Sequence, residues 1–223
     1  MKLYMHPVST TSRPVMQFIA DNNIPVDMEV VDILKGQHYE PSYSQLNPNH
    51  LIPMLDDDGF RLTESAAILR YLAEKIGSPT YPKDLKQRAK VNEAMDWINT
   101  NFYRDWGYGL AYPQLFPHHK RRSDEAHNAT IEWGKTNSQN WLRLLNDYWI
   151  GSKPYLCGNE ITIADYFGSG IVTVGELIGC DFAAYPNIQR WLANVKKLPS
   201  WPGQNQEFYG LREMIKGQSF ARV

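Results

Sequence analysis

The hydrophobic pattern of this chain changes once, near residue 80, and the change limits the folds that the chain can adopt. Before residue 80, runs with the two-residue alternation of strands are separated by segments with helical spacing. After it, apolar and aromatic side chains recur only at the three- and four-residue spacing of helices. Residues 78–82 contain two prolines and are typical of a linker. The pattern predicts an α/β domain joined to an all-helical domain.

The first part is predicted to have the order βαβ, a short helix, then ββα. Residues 26–31 alternate apolar and polar side chains, which predicts a strand with one buried face. Asp58-Gly59 separates two short apolar runs and is a strong signal for a hairpin. A stripe of apolar residues over 65–76 predicts an amphipathic helix.

The second part is predicted to be helical throughout. Four helices are expected from the spacing alone, at residues 87–102, 121–149, 186–196 and 204–215. Thr162 and Asp165 have the spacing of a capping box, which predicts a further helix start. The predicted organisation is a domain of residues 1–78, a linker of residues 79–86 and a helical domain of residues 87–223.

The two parts carry charges of opposite sign, although the 223-residue chain has a formal net charge of −1. Residues 1–80 carry 6 basic and 10 acidic side chains, and the other residues carry 17 and 14. The chain lacks the strong basic field of nucleic-acid-binding proteins, so no nucleic-acid partner is expected. Residues 161–180 are apolar but contain two carboxylates, which predicts a core helix and no membrane span.

The cysteine content and the start of the chain predict its compartment. Cys157 and Cys180 have no neighbours of metal-binding type, so no metal is expected. The chain starts without an apolar leader, and we therefore expect it in the reducing cytoplasm.

Four motifs follow one another in the first part: residues 8–13 (VSTTSR), 34–38 (LKGQH), 47–53 (NPNHLIP) and 62–68 (LTESAAI). Their sequence and spacing resemble the cytosolic glutathione transferase family, and within it the serine-type theta and delta classes. The resemblance covers the whole first part and, in the second, mainly the linker and residues 159–165. It implies a thioredoxin-like N-terminal domain that binds glutathione and an all-α C-terminal domain that contributes the electrophile pocket.

The resemblance implies that Ser9 is the catalytic residue. A free thiol has a pKa of about 8.5 and is mostly protonated at neutral pH, whereas its thiolate is the nucleophile. A hydroxyl just before a helix can donate to a thiolate, and the helix dipole stabilises the negative charge. Without the other motifs, Ser9 would be read as a helix-capping serine.

Other hydroxyls near Ser9 are alternatives. Thr10, Thr11 and Ser12 follow it directly, and any of them is a candidate to contact the thiolate. Serine-type relatives commonly have the form Ser-x-Pro-Cys-Arg, and here Thr11 and Ser12 stand at the positions of its proline and cysteine. Tyr4 is the fallback, because other classes of the family use a tyrosine in the first strand. No cysteine lies at this turn, so mixed-disulfide chemistry is not expected there.

The resemblance also implies how glutathione is bound. The Ile52-Pro53 bond is expected to be cis, with the Ile52 backbone pairing with the cysteinyl part of the ligand as an added strand would. Glu64 and Ser65 precede a helix and are expected to bind the ammonium and carboxylate of the γ-glutamyl end.

Several basic residues lie near these motifs. His38 and His50 stand where the family binds the glycyl carboxylate. Arg13 is expected to be either an anion ligand or a member of a structural ion pair. Residues 118–122 (HHKRR) are expected to be a solvated loop before a helix, and not an anion or metal site.

The electrophile pocket is expected between the domains. The candidates to line it are aromatic residues of the first long helices: Tyr103, Trp106, Tyr108, Tyr112 and Phe116. Phe208 or Phe220 is a candidate lid. Aromatic residues at helical spacing lie more often in a core than in a pocket, and a place in the core is the alternative for each of these residues.

The expected function is glutathione transfer to a small hydrophobic electrophile, with glutathione as co-substrate and no other cofactor. Peroxide reduction or dehalogenation with glutathione at the same site is one alternative. A non-catalytic scaffold with the same fold is another. The resemblance and the charge asymmetry also predict a homodimer in which each N-terminal domain faces its partner's helical domain.

Overall fold

The N-terminal domain is built on a mixed four-stranded sheet, as seen in the computed structural model, which describes residues 1–223. Its strands are β1 (Lys2–Met5), β2 (Asp27–Val30), β3 (Met54–Asp57) and β4 (Phe60–Leu62). They are ordered β2-β1-β3-β4, with β1 parallel to β2 and the other pairs antiparallel. Three helices complete the predicted βαβ-ββα order: α1 (Ser12–Asp21), α2 (Pro41–Ser44) and α3 (Ser65–Lys75). The thioredoxin-like domain is therefore confirmed.

Strand β2 differs from its prediction, because none of its residues is buried. Met28 and Val30 are 40% and 53% exposed. β2 is an edge strand that pairs only with β1, and only the residues that flank it, Val26 and Val31, pack against the core. The alternating pattern therefore marks a strand correctly but not a buried face.

The C-terminal domain is built from helices, as predicted. α4 (Leu85–Trp97) continues through π-helical turns at Ile98–Phe102 and Arg104–Ala111 into the short α5 (Tyr112–Leu115). The remaining helices are α6 (Asp124–Leu144), extended by π-helical turns at Leu145–Ile150, α7 (Ile163–Val172), α8 (Val174–Leu177), α9 (Pro186–Val195), α10 (Trp201–Gln204) and α11 (Gln206–Met214). None of the helices is both long and apolar enough to cross a bilayer.

The connection between the domains runs from the end of α3 to the start of α4. Asp84 caps α4, because its carboxylate accepts from the backbone N–H groups of Lys86 (3.1 Å) and Gln87 (2.9 Å). Helix α4 thus begins two residues before the predicted start of the helical domain. The division into residues 1–78, 79–86 and 87–223 stays a prediction.

Two glycines allow α6 to cross the π-helical segment at very short range. A Cβ atom built on Gly134 would lie 2.3 Å from the carbonyl carbon of Gly109. A side chain at Gly134 would therefore push the two segments apart. This crossing holds residues 104–111 in place behind the cavity described below.

The capping box predicted from Thr162 and Asp165 is present at the start of α7. One Asp165 oxygen accepts from the backbone N–H (2.8 Å) and hydroxyl (2.9 Å) of Thr162. The other accepts from the Leu156 N–H (2.8 Å) and the Trp191 indole N–H (2.9 Å). Burial raises the pKa of this carboxyl. Asp165 therefore stabilises the helical domain, as expected.

Arg13 joins the two domains. Its buried guanidinium donates to the Asn205 amide oxygen (2.8 Å), the Gly170 carbonyl (2.9 Å) and the Thr173 hydroxyl (3.2 Å). It also lies over the Phe208 ring, 3.6 Å from the centroid. Burial lowers the pKa of Arg13 to about 10. Both predicted roles are wrong, because neutral acceptors from the helical domain hold this side chain.

Candidate functional site

A cavity of about 490 Å³ lies between the two domains. The residues predicted to activate or bind glutathione all line it: Ser9, His38, His50, Ile52, Pro53, Glu64 and Ser65. The helical domain contributes aromatic and basic side chains: Tyr103, Arg104, Tyr108, Tyr112, Phe116, His118 and His119. The fold therefore gathers four separated sequence motifs and one helical segment around a single space.

Ser9 lies in the turn that leads into α1 and is 9% exposed. Its Oγ accepts from the backbone N–H of Ser12 at 3.2 Å, and its carbonyl accepts from the N–H of Arg13 at 3.1 Å. Ser9 therefore satisfies part of the free N-terminus of α1, which is the capping role. It also lines the cavity at the positive end of this helix. The two roles are compatible, because a hydroxyl that accepts still has its own proton to donate.

The hydroxyls that follow Ser9 are placed differently from one another. Thr10 and Thr11 line the cavity, whereas Ser12 is completely buried and its hydroxyl has no hydrogen-bond partner. Tyr4, the fallback, does not line the cavity. Of the alternatives to Ser9, only Thr10 and Thr11 therefore share its cavity surface.

The loop before β3 presents free backbone groups to the cavity. The Ile52–Pro53 bond is cis, as predicted. The Leu51 carbonyl accepts from the Tyr43 hydroxyl (2.5 Å) and the Asn47 amide (2.7 Å), which holds the loop. The Ile52 N–H makes no hydrogen bond within the protein. An extended peptide could therefore pair with Ile52 as an added strand.

The start of α3 forms a second polar corner. Glu64 has a φ of 65°, in the left-handed region that non-glycine residues rarely adopt. Helix α3 starts without a side-chain cap, so its first N–H groups are free. The side chain of Glu64 is exposed, and Ser65 is buried beside it. The corner offers a helix N-terminus for a carboxylate and a carboxylate for a cation.

His38 and His50 lie together at another end of the cavity. The Nδ1 of His50 is 3.2 Å from the His38 carbonyl, so this nitrogen carries the proton and donates. The Tyr39 ring packs against both imidazoles, with centroid distances of 4.0 and 5.5 Å. Burial, and then the nearby His118 and His50, lower the pKa of His38. The histidines at the cavity form no group arranged to hold a metal ion.

Three tyrosines pack together in the helical wall. The rings of Tyr103, Tyr108 and Tyr112 pack with centroid distances of 5.1 to 5.9 Å. The hydroxyls of Tyr103 and Tyr112 are hydrogen-bonded to each other, and burial raises the pKa of both. Tyr108 is 44% exposed, and Phe116 packs against Tyr112 with 5.4 Å between centroids. The tyrosines are therefore uncharged at neutral pH and form an aromatic surface.

Trp106 does not line the cavity, so its predicted place there is wrong. It is completely buried, and its indole N–H donates to the Val172 carbonyl at 3.2 Å. A Cβ atom at Gly175 would lie 2.0 Å from its ring. In a π-helical turn the hydrogen bonds join residues five apart, so Tyr103 and Tyr108 share a face and Trp106 points into the core.

The two candidate lids are also elsewhere. Phe208 is completely buried beneath Arg13. Phe220 lines a separate cavity next to α11. Neither side chain lines the cavity between the domains.

His118 and His119 are functional-site candidates that the sequence reasoning missed. Of the segment expected to be a solvated loop, residues 120–122 are exposed and precede α6 as predicted, but His118 and His119 belong to a short 3-10 helix (Pro117–His119) and line the cavity. The His119 ring packs against Tyr108 and Tyr112, with centroids 5.6 and 5.1 Å away. Burial lowers the pKa of His119 to about 4. The sequence did contain a sign of this placement, because aromatic and histidine residues directly follow the tyrosines that line the cavity.

Comparisons with known proteins agree with this architecture. Two family models match: "Glutathione S-transferase, N-terminal domain" over residues 1–74 and "Glutathione S-transferase, C-terminal domain" over residues 138–199. Human glutathione S-transferase theta-1 is 33% identical over 204 residues, which cover 88% of this chain and 82% of that protein.

Two solved structures extend the likeness to the fold. Human glutathione transferase theta-2, in complex with glutathione and an unknown ligand, has a TM-score of 0.86 at 29% identity and covers 99% of this chain and 92% of its own. Glutathione S-transferase unclassified 2 from Bombyx mori has a TM-score of 0.83 at 30% identity and covers 99% of both chains.

Proposed function

This chain belongs to the glutathione S-transferase family and is an enzyme of that family. From this premise we propose that its Ser9 hydroxyl stabilises a glutathione thiolate, which attacks a small hydrophobic electrophile. The observation that carries the proposal is the position of Ser9, at the N-terminus of α1 and at the cavity surface. A donated hydrogen bond and the helix dipole both favour the thiolate over the thiol.

The polar groups around Ser9 support one orientation of glutathione. The Ile52 N–H and C=O would pair with the cysteinyl unit and bring its sulfur next to Ser9. The γ-glutamyl ammonium would meet the Glu64 carboxylate, and its carboxylate would meet Ser65 and the free N–H groups of α3. His38 and His50 would then lie at the glycyl carboxylate. Each charged group of the tripeptide thus has either a group of opposite charge or a hydrogen-bond donor as its partner.

The helical wall supports an apolar second substrate. In a substitution, the sulfur forms a bond to carbon and the leaving group departs with its electron pair. In an addition to an activated alkene, the electron pair of the double bond moves to the neighbouring carbon, which takes a proton from water. The aromatic faces of Tyr108 and Phe116 would hold the electrophile in contact with the sulfur and exclude water.

Replacement of Ser9 tests the serine mechanism. We expect Ser9→Ala to lower kcat by about 100-fold, the usual effect of losing one charge-stabilising donor, while retention on immobilised glutathione is unchanged. Ser12→Ala is the matched control, because it removes an adjacent buried hydroxyl that makes no hydrogen bond. Full activity of Ser9→Ala would show that the serine assignment is wrong.

Glutathione binding separates this function from a scaffold role. Such a scaffold needs no intact glutathione site, whereas here the Ile52 backbone and the α3 corner both retain free polar groups. We expect the protein to bind immobilised glutathione. No binding at millimolar glutathione would favour the scaffold.

The second substrate is best identified by a panel of activity measurements at saturating glutathione. Halides and enones test conjugation, and hydroperoxides test glutathione-dependent reduction by the same thiolate. We propose conjugation as the main activity because the aromatic wall presents a broad apolar surface. Turnover confined to hydroperoxides would show that peroxide reduction, and not conjugation, is the main activity.

We also propose a homodimer. The acidic N-terminal part and the basic helical part would face each other across a two-fold axis. The mass in solution at micromolar concentration tests this, and a monomer mass would contradict it.

A further inference from the structure

Four groups at and beside the Ser9 turn form one hydrogen-bonded chain. Thr11 Oγ1 donates to the Ile52 carbonyl at 3.1 Å and lies 3.3 Å from Ser9 Oγ. Ser9 Oγ also accepts from the Ser12 N–H at 3.2 Å. Because a hydroxyl has one proton and that of Thr11 is directed at Ile52, the Ser9 proton is directed at Thr11. In the free protein, the Ser9 proton therefore already has an acceptor.

A second arrangement of the same atoms points the Ser9 proton elsewhere. A hydroxyl oxygen has two lone pairs, so Ser9 Oγ can accept from both the Ser12 N–H and the Thr11 hydroxyl. Its own proton is then free to be donated to a thiolate. This arrangement requires only that the Thr11 hydroxyl rotates from the Ile52 carbonyl to Ser9. No covalent bond changes.

The Ile52 carbonyl connects this rotation to the substrate. It is the group that would accept a hydrogen bond from the glutathione peptide, and with that donor in place the carbonyl stays satisfied when the Thr11 hydroxyl turns to Ser9. We propose that Thr11 is a positioning residue: peptide binding at Ile52 releases the Thr11 hydroxyl to donate to Ser9, which directs the Ser9 proton to the sulfur. The inference rests on the proposed function, and deepens it.

Threonine at position 11 gives the Ser9 turn a second hydroxyl that takes part in activating the thiol. A chain in which Thr11 donates to Ser9 and Ser9 donates to the thiolate is strengthened by mutual polarisation. Proline at position 11 would have no hydroxyl and could make neither bond. Thiol activation thus becomes dependent on a correctly bound peptide, and a thiol that does not reach Ile52 gains less from Ser9.

Removal of the Thr11 hydroxyl tests the proposal. We expect Thr11→Val to lower kcat about 5-fold, with KM for glutathione within about 2-fold, and Thr11→Ser to restore the wild-type rate. The apparent pKa in the kcat–pH profile should rise in Thr11→Val, which a purely structural role of Thr11 would not cause. We expect the same changes in kcat and in the apparent pKa for Thr11→Ala. The Tm of each variant shows whether it is folded.

A double mutant separates positioning from direct contact. In the Ser9→Ala background, we expect Thr11→Val to cause no further loss, because Thr11 acts through Ser9. An equal loss in that background would show that Thr11 itself contacts the sulfur, which would overturn the proposal. Wild-type kcat and pH profile in Thr11→Val, with Ser9→Ala impaired, would overturn it while leaving the serine mechanism intact. Full activity of Ser9→Ala would overturn both.

Discussion

The two walls of the cavity hold their groups in different ways. On the N-terminal wall, backbone groups lie beside the side chains of Ser9 and Glu64: the free N–H of Ile52 and the uncapped N-terminus of α3. On the helical wall, aromatic and imidazole side chains such as Tyr108 and His119 form the surface. Backbone groups stay in place when side chains change, whereas side chains can be replaced one at a time. The comparison supports the proposal that the N-terminal wall binds glutathione, which is the same in every reaction. The helical wall would bind the electrophile, which can differ between reactions.

Among changes that test substrate binding by the two walls, Glu64→Gln on the N-terminal wall is expected to have the largest effect. It keeps the shape of the side chain but removes the charge that would face the γ-glutamyl ammonium. We expect KM for glutathione to rise about 10-fold, with KM for the electrophile unchanged. The measurement is steady-state kinetics with each substrate varied in turn.

Glu93→Gln is the matched control for this change. Glu93 forms an exposed ion pair with Lys90 (2.6 Å) on α4 and does not line the cavity. It is expected to have no effect on either KM. If KM for glutathione is unaltered in Glu64→Gln, the γ-glutamyl end does not bind at the start of α3, and the proposed orientation of glutathione is wrong.

Tyr108→Ala is expected to have a smaller effect, confined to the helical wall. Loss of an aromatic face that is about half exposed should raise KM for an apolar electrophile about 5-fold and leave KM for glutathione unchanged. Tyr108→Phe should retain wild-type values, because the ring supplies the contact. Tyr148→Ala removes an exposed tyrosine outside the cavity and is the control. A larger change for glutathione than for the electrophile would contradict the division between the walls.

His119 is expected to give the smallest effect, visible only in acid. Its pKa of about 4 in the folded protein lies below the ordinary value of 6.5, so the unfolded chain binds the proton more readily. The folded protein is therefore stabilised by the neutral His119 imidazole fully above pH 6.5, and this contribution is lost as the pH falls towards 4. We expect His119→Gln to reduce the fall in Tm between pH 7 and pH 4.5 by about 2 °C.

His127→Gln, on α6 and outside the cavity, is the control for this pH measurement. It should leave the pH dependence of Tm close to that of the wild type. An identical pH dependence for wild type and His119→Gln would show that the half-buried His119 imidazole does not make the helical wall less stable in acid.

The sequence predicted the N-terminal wall well because its groups are tied to local motifs. The Asp58-Gly59 hairpin, the cis Ile52–Pro53 bond and the helix start at Ser65 all depend on residues close in sequence. Even so, the exposed faces of β2 could not be predicted, because burial depends on what packs against a strand and not on its alternation.

The helical wall was predicted less well, for two physical reasons. Trp106 was misplaced because three-residue spacing fixes a shared face only in an α-helix, and the segment is π-helical. His119 was missed because its contact with Tyr112 depends on how the chain folds back after α5. The role of Arg13 depends on Asn205 and Thr173, whose positions nothing in the local sequence indicates.

The central claim is that the Ser9 hydroxyl stabilises a thiolate in the cavity. The most direct measurement is a pH titration of bound glutathione, followed by the ultraviolet absorbance of the thiolate, in the wild type and in Ser9→Ala. We predict an apparent thiol pKa clearly below about 8.5 in the wild type and a value close to about 8.5 in Ser9→Ala. Identical titrations of the two proteins would contradict the claim.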